Sequence, residues 1–152
     1  DSKKAPDFIG GTCLVFRLCV DDYHRYGYVD KGEIIENKAI KGQLHTVRPI
    51  AVNKYPVFTR NSREYSIIKT ENFGTIAQIE VGAMMIGKIK NHQKSGYVKK
   101  EAEKGMFLYG GSTIVVLLEK DKVEIENSYF ENTDKDIETK VKYGSTIGKL
   151  KK

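Results

Sequence analysis

The sequence has no long apolar run. No stretch approaches the roughly 18 to 20 uninterrupted apolar residues that a membrane-spanning helix needs, so we predict that the chain does not cross a bilayer. Internal repeats, low-complexity tracts and linker-like shifts in composition are also absent. With 152 residues, 39% hydrophobic and 30% charged, the composition is typical of a soluble globular protein. We therefore expect residues 1–152 to form a single domain.

Cysteine is scarce, with Cys13 and Cys19 the only two in the chain. They lie six positions apart in a predicted strand, which would separate their Cα atoms by about 20 Å. A disulfide requires a separation of less than about 7 Å. We expect two free thiols, and this favours a reducing compartment.

Histidine is also scarce. None of the three histidines (His24, His45 and His92) has the spacing from cysteines or carboxylates that a zinc or iron site requires, so we predict no metal. His24 and His45 follow or precede apolar segments, where either a structural role or a place in a cleft is compatible with the pattern. His92 lies in a polar loop and is predicted to be exposed.

Positively charged residues are in moderate excess. The formal net charge is +6 and the isoelectric point is near 9.2, which is compatible with nucleic acid, an acidic lipid surface or an acidic substrate. The basic residues are scattered, as is typical of solvated faces, and the sign alone does not choose among these partners.

Short apolar segments bounded by glycine, asparagine and aspartate predict a mainly β (α+β) fold, a compact antiparallel domain with meander or barrel-like sheets. Residues 11–20 read as a largely buried strand. The further predicted strands are 33–40, 46–52, 64–69, 75–90, 106–109, 113–118 and 122–126. Strand 75–90, which also has apolar residues at helical spacing, is expected to bend at Gly82 and Gly87. Strands 106–109, 113–118 and 122–126 are predicted to form a meander with a hairpin turn at 119–122.

One short C-terminal helix is predicted after this meander. Thr133 or Asp134 is suited to its N-cap, Ile137 and Val141 follow at i, i+4 spacing, and Gly144 is suited to a left-handed stop.

The run Gly110-Gly111-Ser112-Thr113 lies between two apolar strands. It has two interpretations, and the simpler is a tight glycine turn. In the other, the Ser112 hydroxyl attacks the carbonyl of Gly111, which has no Cβ to block its approach. The resulting ester can eliminate to a dehydroalanine, which becomes a pyruvoyl group at a new N-terminus. Such a carbonyl can react with amines without any bound cofactor.

Several motifs resemble those of the phosphatidylserine decarboxylase family and occur in the family's order over roughly residues 8–148. They are residues 8–18, Asp22-Tyr23-His24-Arg25, residues 45–51, Asn61-Ser62-Arg63-Glu64, Phe73-Gly74, residues 81–87 and Gly105-x-Phe107 followed by the glycine-serine run. A second Gly-Ser-Thr at 144–146 lacks flanking strands and is interpreted as a helix cap.

The resemblance implies self-cleavage between Gly111 and Ser112, giving a β chain of residues 1–111 and an α chain of residues 112–152 with its pyruvoyl group at position 112. It implies decarboxylation of phosphatidylserine to phosphatidylethanolamine, a step of phospholipid biosynthesis, by a zymogen that matures autocatalytically. His24 would be the general acid/base, with His45 and Asp22 as auxiliary candidates. The resemblance also implies a peripheral membrane protein, bound to an anionic surface on the cytoplasmic side of the cell membrane.

The sequence departs from the family's pattern in three ways, of which Lys100-Glu101, where the family often has a glycine before the glutamate, affects only a local turn. Some members have a second histidine three positions after the first, where this chain has Gly27. The resemblance also implies relatives about twice as long, whose N-terminal half includes membrane-associating helices and an aspartate that orients the histidine. Because residues 1–6 include no initiator methionine, we expect the chain to be processed or taken from a longer sequence. We hypothesise that by itself it cleaves slowly or stays uncleaved.

Two other function classes stay open. One is a non-catalytic or uncleaved decarboxylase-like module with a binding or structural role. The other is a basic β-barrel that binds nucleic acid, which we disfavour and which would require exposed aromatic side chains on a basic face. The oligomeric state, with a homo-oligomer among the alternatives, is not determined by the sequence.

Overall fold

Short apolar and β-branched segments recur along the chain, and the computed structural model places most of them in strands. The structure describes residues 2–43, 45, 57–83, 88–108 and 112–151. Within these ranges the strands are β1 (Thr12–Leu18), β2 (Arg25–Gly27), β3 (Gly32–Ile40), β4 (Arg63–Thr70), β5 (Thr75–Val81), β6 (Lys88–Asn91), β7 (Gly96–Val98), β8 (Glu103–Leu108), β9 (Ser112–Leu118), β10 (Val123–Ile125) and β11 (Gly148–Leu150). One α-helix, α1 (Asn127–Thr133), and 3₁₀ turns at Ala5–Phe8 and Val57–Arg60 complete the described elements.

The strands form three antiparallel sheets. The largest has the order β1-β9-β5-β4-β3-β7, a second contains β2-β8-β6, and β10 pairs with β11. Strands β3, β4 and β5 are neighbours in sequence and in space, so this part is a β-meander. Strand β9 arrives from much later in the chain and lies between β1 and β5.

The core lies on one face of the six-stranded sheet. Its cross-strand register aligns Ile34, Ile68, Ile76 and Leu118 in a row over four strands, and all four are buried in one cluster. Burying a side chain of this size contributes about 1.5–3 kcal/mol, so this row is a main source of the sheet's stability. A smaller cluster covers the opposite face, where the N-terminal Phe8 packs against it.

The expectation of a mainly β fold with one short C-terminal helix is confirmed, and both cysteines are free thiols. No helix among the described residues is both long and apolar enough to span a bilayer. The predicted strand at 46–52 lies outside the described residues, as does the expected bend at Gly87.

Three strand predictions are wrong in detail. Strand β1 is half-buried, not largely buried, since its alternate residues Cys13 and Val15 face solvent. The predicted single strand 75–90 is two strands in different sheets, because β5 ends before Gly82 and β6 pairs with β8. The predicted meander at 106–126 is absent: β8, β9 and β10 belong to three different sheets. Local alternation predicts strands, but long-range pairing chooses their partners.

The predicted position of the helix is also wrong. Helix α1 ends at Thr133, where a start was expected. The chain then turns through Asp136 with a φ of 57°, and Ile137 is half-exposed. Gly144 does adopt a left-handed φ of 83°, but in a turn, where the Ser145 N–H donates to Lys142 O at 3.0 Å. The second Gly-Ser-Thr is therefore a turn and not a helix cap.

Candidate functional site

Ser112 is the first residue of β9. In the antiparallel pairing with β1 it lies opposite Leu18, and alternation puts its side chain on the same face as Val116 and Leu118, which are in the core. Its side chain is fully buried, and its Oγ has no hydrogen-bond partner among the described residues. Since buried hydroxyls in native proteins are nearly always bonded, this one is a candidate reactive group. Gly110 and Gly111, on the other side of the predicted cleavage point, lie outside the described residues.

His24 lies in the short segment between β1 and β2. Its Nδ1 is 2.6 Å from the carbonyl oxygen of Asp22. A carbonyl can only accept, so Nδ1 carries a proton, and in the neutral imidazole Nε2 is left with a free lone pair. That Nε2 atom is buried and has no partner among the described residues. The imidazole is thus in the tautomer that a general base requires.

The topology brings these two side chains to the same end of the sheets. Strand β1 ends at Leu18, opposite Ser112, and the chain turns directly into the His24 segment. The His24 carbonyl then accepts a hydrogen bond of 3.0 Å from the N–H of Phe107, which is in β8, five residues before Ser112. His24 is therefore bonded to β8 and lies six residues after Leu18, the β1 residue that pairs with Ser112.

Asp22 contributes to this site through its backbone. Its carboxylate Oδ2 accepts from the Cys19 N–H at 2.7 Å, and its own N–H donates to Cys19 O at 3.1 Å. These bonds close the turn after β1 and aim the Asp22 carbonyl at His24. The orientation of the imidazole comes from that carbonyl and not from the carboxylate.

His45 and His92 are held in other contacts. The His45 Nε2 is 2.5 Å from Gln43 Oε1, and its backbone is held on both sides by the buried side chain of Asn61. His92, exposed as predicted, pairs with Glu103 Oε1 at 2.6 Å. Neither of these contacts brings the imidazole to Ser112.

Asn61 lies closer to the site than its place in the sequence suggests. Its Nδ2 also donates to Gly82 O at 2.8 Å, and the register that pairs Val81 with Thr113 leads directly to Gly82 beside Ser112. Asn61 therefore supports the backbone next to the serine. Its motif with residues 62–64 was the only sequence feature that singled it out.

A buried ion pair that no sequence motif indicated lies near the site. Lys104 Nζ lies 2.6 Å from Glu80 Oε2, and both side chains are 0% exposed. Asn91 Nδ2 donates to the same oxygen at 3.0 Å, and Tyr26 donates its hydroxyl to Asn91 Oδ1 at 3.1 Å. Burial raises the pKa of the Glu80 carboxyl, and Lys104 opposes that rise.

Burial and neighbouring carboxylates also raise the pKa of nearby phenols. The pKa of Tyr26 is raised by desolvation first and then by Glu80 and Glu64. Desolvation and Glu80 raise the pKa of Tyr28 to about 12. Both tyrosines therefore stay neutral at physiological pH.

Buried polar atoms without a partner among the described residues gather around this region. They are Ser112 Oγ, His24 Nε2, Tyr28 OH, Gln78 Oε1, Glu80 Oε1 and Glu64 Oε1. The sheet residues in this set share the core-facing side of β4, β5 and β9, as the register shows. No group of three or more histidine, cysteine or carboxylate residues is arranged to hold a metal ion in the part of the chain that the structure describes.

The fold and the site define a mainly β protein with a buried candidate nucleophile at the start of β9 and a candidate imidazole base in the segment that follows the neighbouring strand β1. A sequence model of the family described as phosphatidylserine decarboxylase matches residues 1–149. The chain belongs to this family, and the resemblance inferred from the sequence is confirmed.

Curated relatives agree with this assignment. The chain is 49% identical over 148 residues to phosphatidylserine decarboxylase proenzyme 2 of Clostridium acetobutylicum, covering 97% of this chain and 50% of the relative. It is 45% identical over 150 residues to the phosphatidylserine decarboxylase proenzymes of Clostridium perfringens and Ruminiclostridium cellulolyticum, covering 97% of this chain and 51% and 50% of the relatives. The chain thus spans about half the length of the curated relatives it matches.

Proposed function

We propose that this chain is the catalytic part of an enzyme that decarboxylates phosphatidylserine to phosphatidylethanolamine, using a pyruvoyl group made from Ser112 by self-cleavage after Gly111. The observation that carries the proposal is the fully buried Ser112 hydroxyl with no partner among the described residues. The names of the relatives, which are phosphatidylserine decarboxylase proenzymes, support both the substrate and a precursor form.

The residues at the site fit this chemistry. With Nδ1 protonated against the Asp22 carbonyl, His24 Nε2 is free to take the proton from Ser112 Oγ as that oxygen attacks the preceding carbonyl carbon. The C–N bond at the cleavage point breaks and an ester forms. Loss of the Ser112 Cα proton then breaks the Cβ–O bond, releases the carboxylate of residue 111 and leaves a dehydroalanine with a free amine at position 112. Its imine tautomer consumes one water molecule and releases ammonia, which leaves the pyruvoyl group.

Burial of Ser112 directs this ester toward elimination. Hydrolysis would only restore a serine, and it requires water at the ester carbonyl. The serine side chain is 0% exposed, so bulk water has little access to it. When formed, the pyruvoyl group supplies a carbonyl that reacts with the substrate's amine and accepts the electrons released with carbon dioxide.

The proposed partners are a phosphatidylserine molecule and the anionic surface in which it lies, with the protein peripheral on the cytoplasmic side of the cell membrane. The net charge of +6 supports attraction to such a surface. The two products of cleavage would form a β/α chain pair.

Intact-mass spectrometry tests self-cleavage. We expect two masses that meet at the Gly111–Ser112 bond when the wild-type chain is expressed with the N-terminal half of the Clostridium acetobutylicum relative, and slow or absent cleavage when it is expressed alone. Ser112→Ala should give a single mass near 17.2 kDa. Ser145→Ala is the matched control, because it removes the serine of the exposed second Gly-Ser-Thr and should leave cleavage unchanged. A single mass for the wild type under both conditions would contradict the proposal and favour the non-catalytic module.

Borohydride trapping tests the decarboxylase step. With phosphatidylserine present, reduction should attach the substrate amine covalently at position 112 of the cleaved protein. Cleaved protein that yields no adduct would exclude the lyase reaction.

A further inference from the structure

The buried ion pair between Glu80 and Lys104 joins two sheets. Glu80 lies in β5 of the six-stranded sheet, and Lys104 lies in β8 of the three-stranded sheet. Their charged atoms are 2.6 Å apart with both side chains fully buried. The pair is therefore a direct link between the strand next to β9 and the strand next to β2.

Each end of the link is close to one of the two candidate reactive groups. Glu80 pairs with Ile114, which is two residues beyond Ser112 and on the same face, so Glu80 and Ser112 are diagonal cross-strand neighbours. On the other side, Lys104 directly precedes Gly105, which pairs with Tyr26, two residues after His24.

Further contacts connect the ion pair to Tyr26. Asn91 donates to the same Glu80 oxygen at 3.0 Å and accepts from the Tyr26 hydroxyl at 3.1 Å. The Lys104 ammonium also lies 5.9 Å from the centre of the Tyr26 ring. Because Tyr26 is in β2, which begins directly after His24, the network connects β2 as well as β8 to the ion pair.

We infer that Glu80 and Lys104, together with Asn91 and Tyr26, are positioning residues that set His24 relative to Ser112; this rests on the proposed function. A buried ion pair is a poor source of stability, since apolar residues of similar size would hold the sheets as well or better. Its hydrogen bonds hold one relative position of the sheets, which apolar contacts do not specify. Alignment and stability can thus be separated by experiment.

The experiment compares single and double replacements of the pair. Lys104→Met and Glu80→Leu each leave the other charged group buried and unpaired, so each single variant should unfold at a lower urea concentration. The double variant should regain the wild-type midpoint, yet self-cleave about 100-fold more slowly, the order expected for a misalignment of about 1 Å. Lys31→Met is the matched control because it removes an exposed ion pair with Glu71 and should change neither quantity. A stable double variant that cleaves at the wild-type rate would overturn the inference.

Tyr26→Phe provides a milder variant in case the double variant does not fold. It removes only the hydroxyl that donates to Asn91 and should slow cleavage about fivefold, as expected for one lost hydrogen bond. Wild-type kinetics in a folded Tyr26→Phe protein would also count against the inference.

A second measurement separates this inference from the proposed function. Nitrogen-15 chemical shifts of the His24 imidazole should differ between the wild type and the double variant, or Tyr26→Phe if the double variant does not fold, and should be the same in the Lys31→Met control. If the wild type never cleaves, the self-cleavage proposal fails while these shifts still decide the positioning role. Unchanged His24 shifts would refute it even in a protein that cleaves.

Discussion

Gly105 shows how tightly single residues are packed beside the site. A Cβ built on it would lie 2.3 Å from Lys90 O and 2.6 Å from Asn91 Oδ1, so no side chain fits where β8 passes β6. Only glycine lets the two backbones approach this closely. The Asn91 oxygen beside it is the one that accepts the hydrogen bond from the Tyr26 hydroxyl.

We expect Gly105→Ala to destabilise the protein by about 1–3 kcal/mol, because the backbone must shift to admit the methyl group. Urea unfolding followed by circular dichroism measures the change. Lys94→Ala, in an exposed loop, is the control and should stay within about 0.5 kcal/mol of wild type. Equal unfolding midpoints for the two variants would contradict the close packing.

At the scale of elements, the central place of β9 has a consequence for the two proposed products. Strand β9 is hydrogen-bonded to β1 on one side and β5 on the other. Both flanking strands belong to residues 1–111, whereas β9 begins the segment 112–152. Cleavage at the start of β9 therefore leaves every one of its strand pairings intact.

We predict that the cleaved protein migrates as one species in size-exclusion chromatography without denaturant. The two polypeptides should separate only when urea unfolds the six-stranded sheet, since pulling out β9 would expose its buried face and two strand edges. Uncleaved Ser112→Ala is the reference and should elute at the same volume. Separation of the products in native buffer would be inconsistent with the central position of β9.

The segment after α1 is fastened to β1 by an ion pair. Arg17 donates to both carboxylate oxygens of Glu138 at 2.6 and 2.5 Å. The Arg17 guanidinium lowers the pKa of the Glu138 carboxyl, and burial opposes this. Because the folded pKa lies below the unfolded one, the pair stabilises the fold above the ordinary glutamate value of about 4.3 and loses this effect as pH falls through the folded pKa.

We therefore expect Glu138→Gln to lower the free energy of unfolding by about 0.5 kcal/mol near neutral pH, a small effect because solvent screens a half-exposed pair. The difference from wild type should shrink below about pH 4.3. Urea midpoints measured near pH 7 and well below pH 4.3 test this, with Glu33→Gln, at an exposed position of β3, as control. A difference that stays constant across the range would show that the ion pair is not its cause.

For the whole molecule, charge is the property that acts at a distance. The chain has 26 lysine and arginine residues against 20 aspartate and glutamate residues. Such an excess attracts anionic surfaces over roughly a Debye length, which falls from about 10 Å at 0.1 M salt to about 3 Å at 1 M.

We predict that the protein cosediments with vesicles containing phosphatidylserine at 0.1 M salt and is largely released at 1 M salt. Vesicles of phosphatidylcholine alone are the control and should bind little at either concentration. Binding that is equally strong to both vesicle types would show that the net charge does not direct the association.

Local sequence pattern was enough to predict much of the fold and part of the candidate site. Alternation and glycine-bounded apolar segments predicted a mainly β chain, and strands β3, β4 and β9 were expected within a residue or so of their observed bounds. Ser112 and His24 were singled out from their motifs. These features depend on neighbouring residues, so they can be read along the chain.

The sequence by itself determined the β content, the free thiols and the family. Only the tertiary structure decided that β9 lies between β1 and β5, that the Asp22 carbonyl sets the His24 tautomer, and that Lys104 is fully buried against Glu80. Nothing near Lys104 distinguishes it from the exposed lysines around it. Its burial comes from the packing of two sheets whose strands are distant in sequence, and no local pattern records the free energy of that contact.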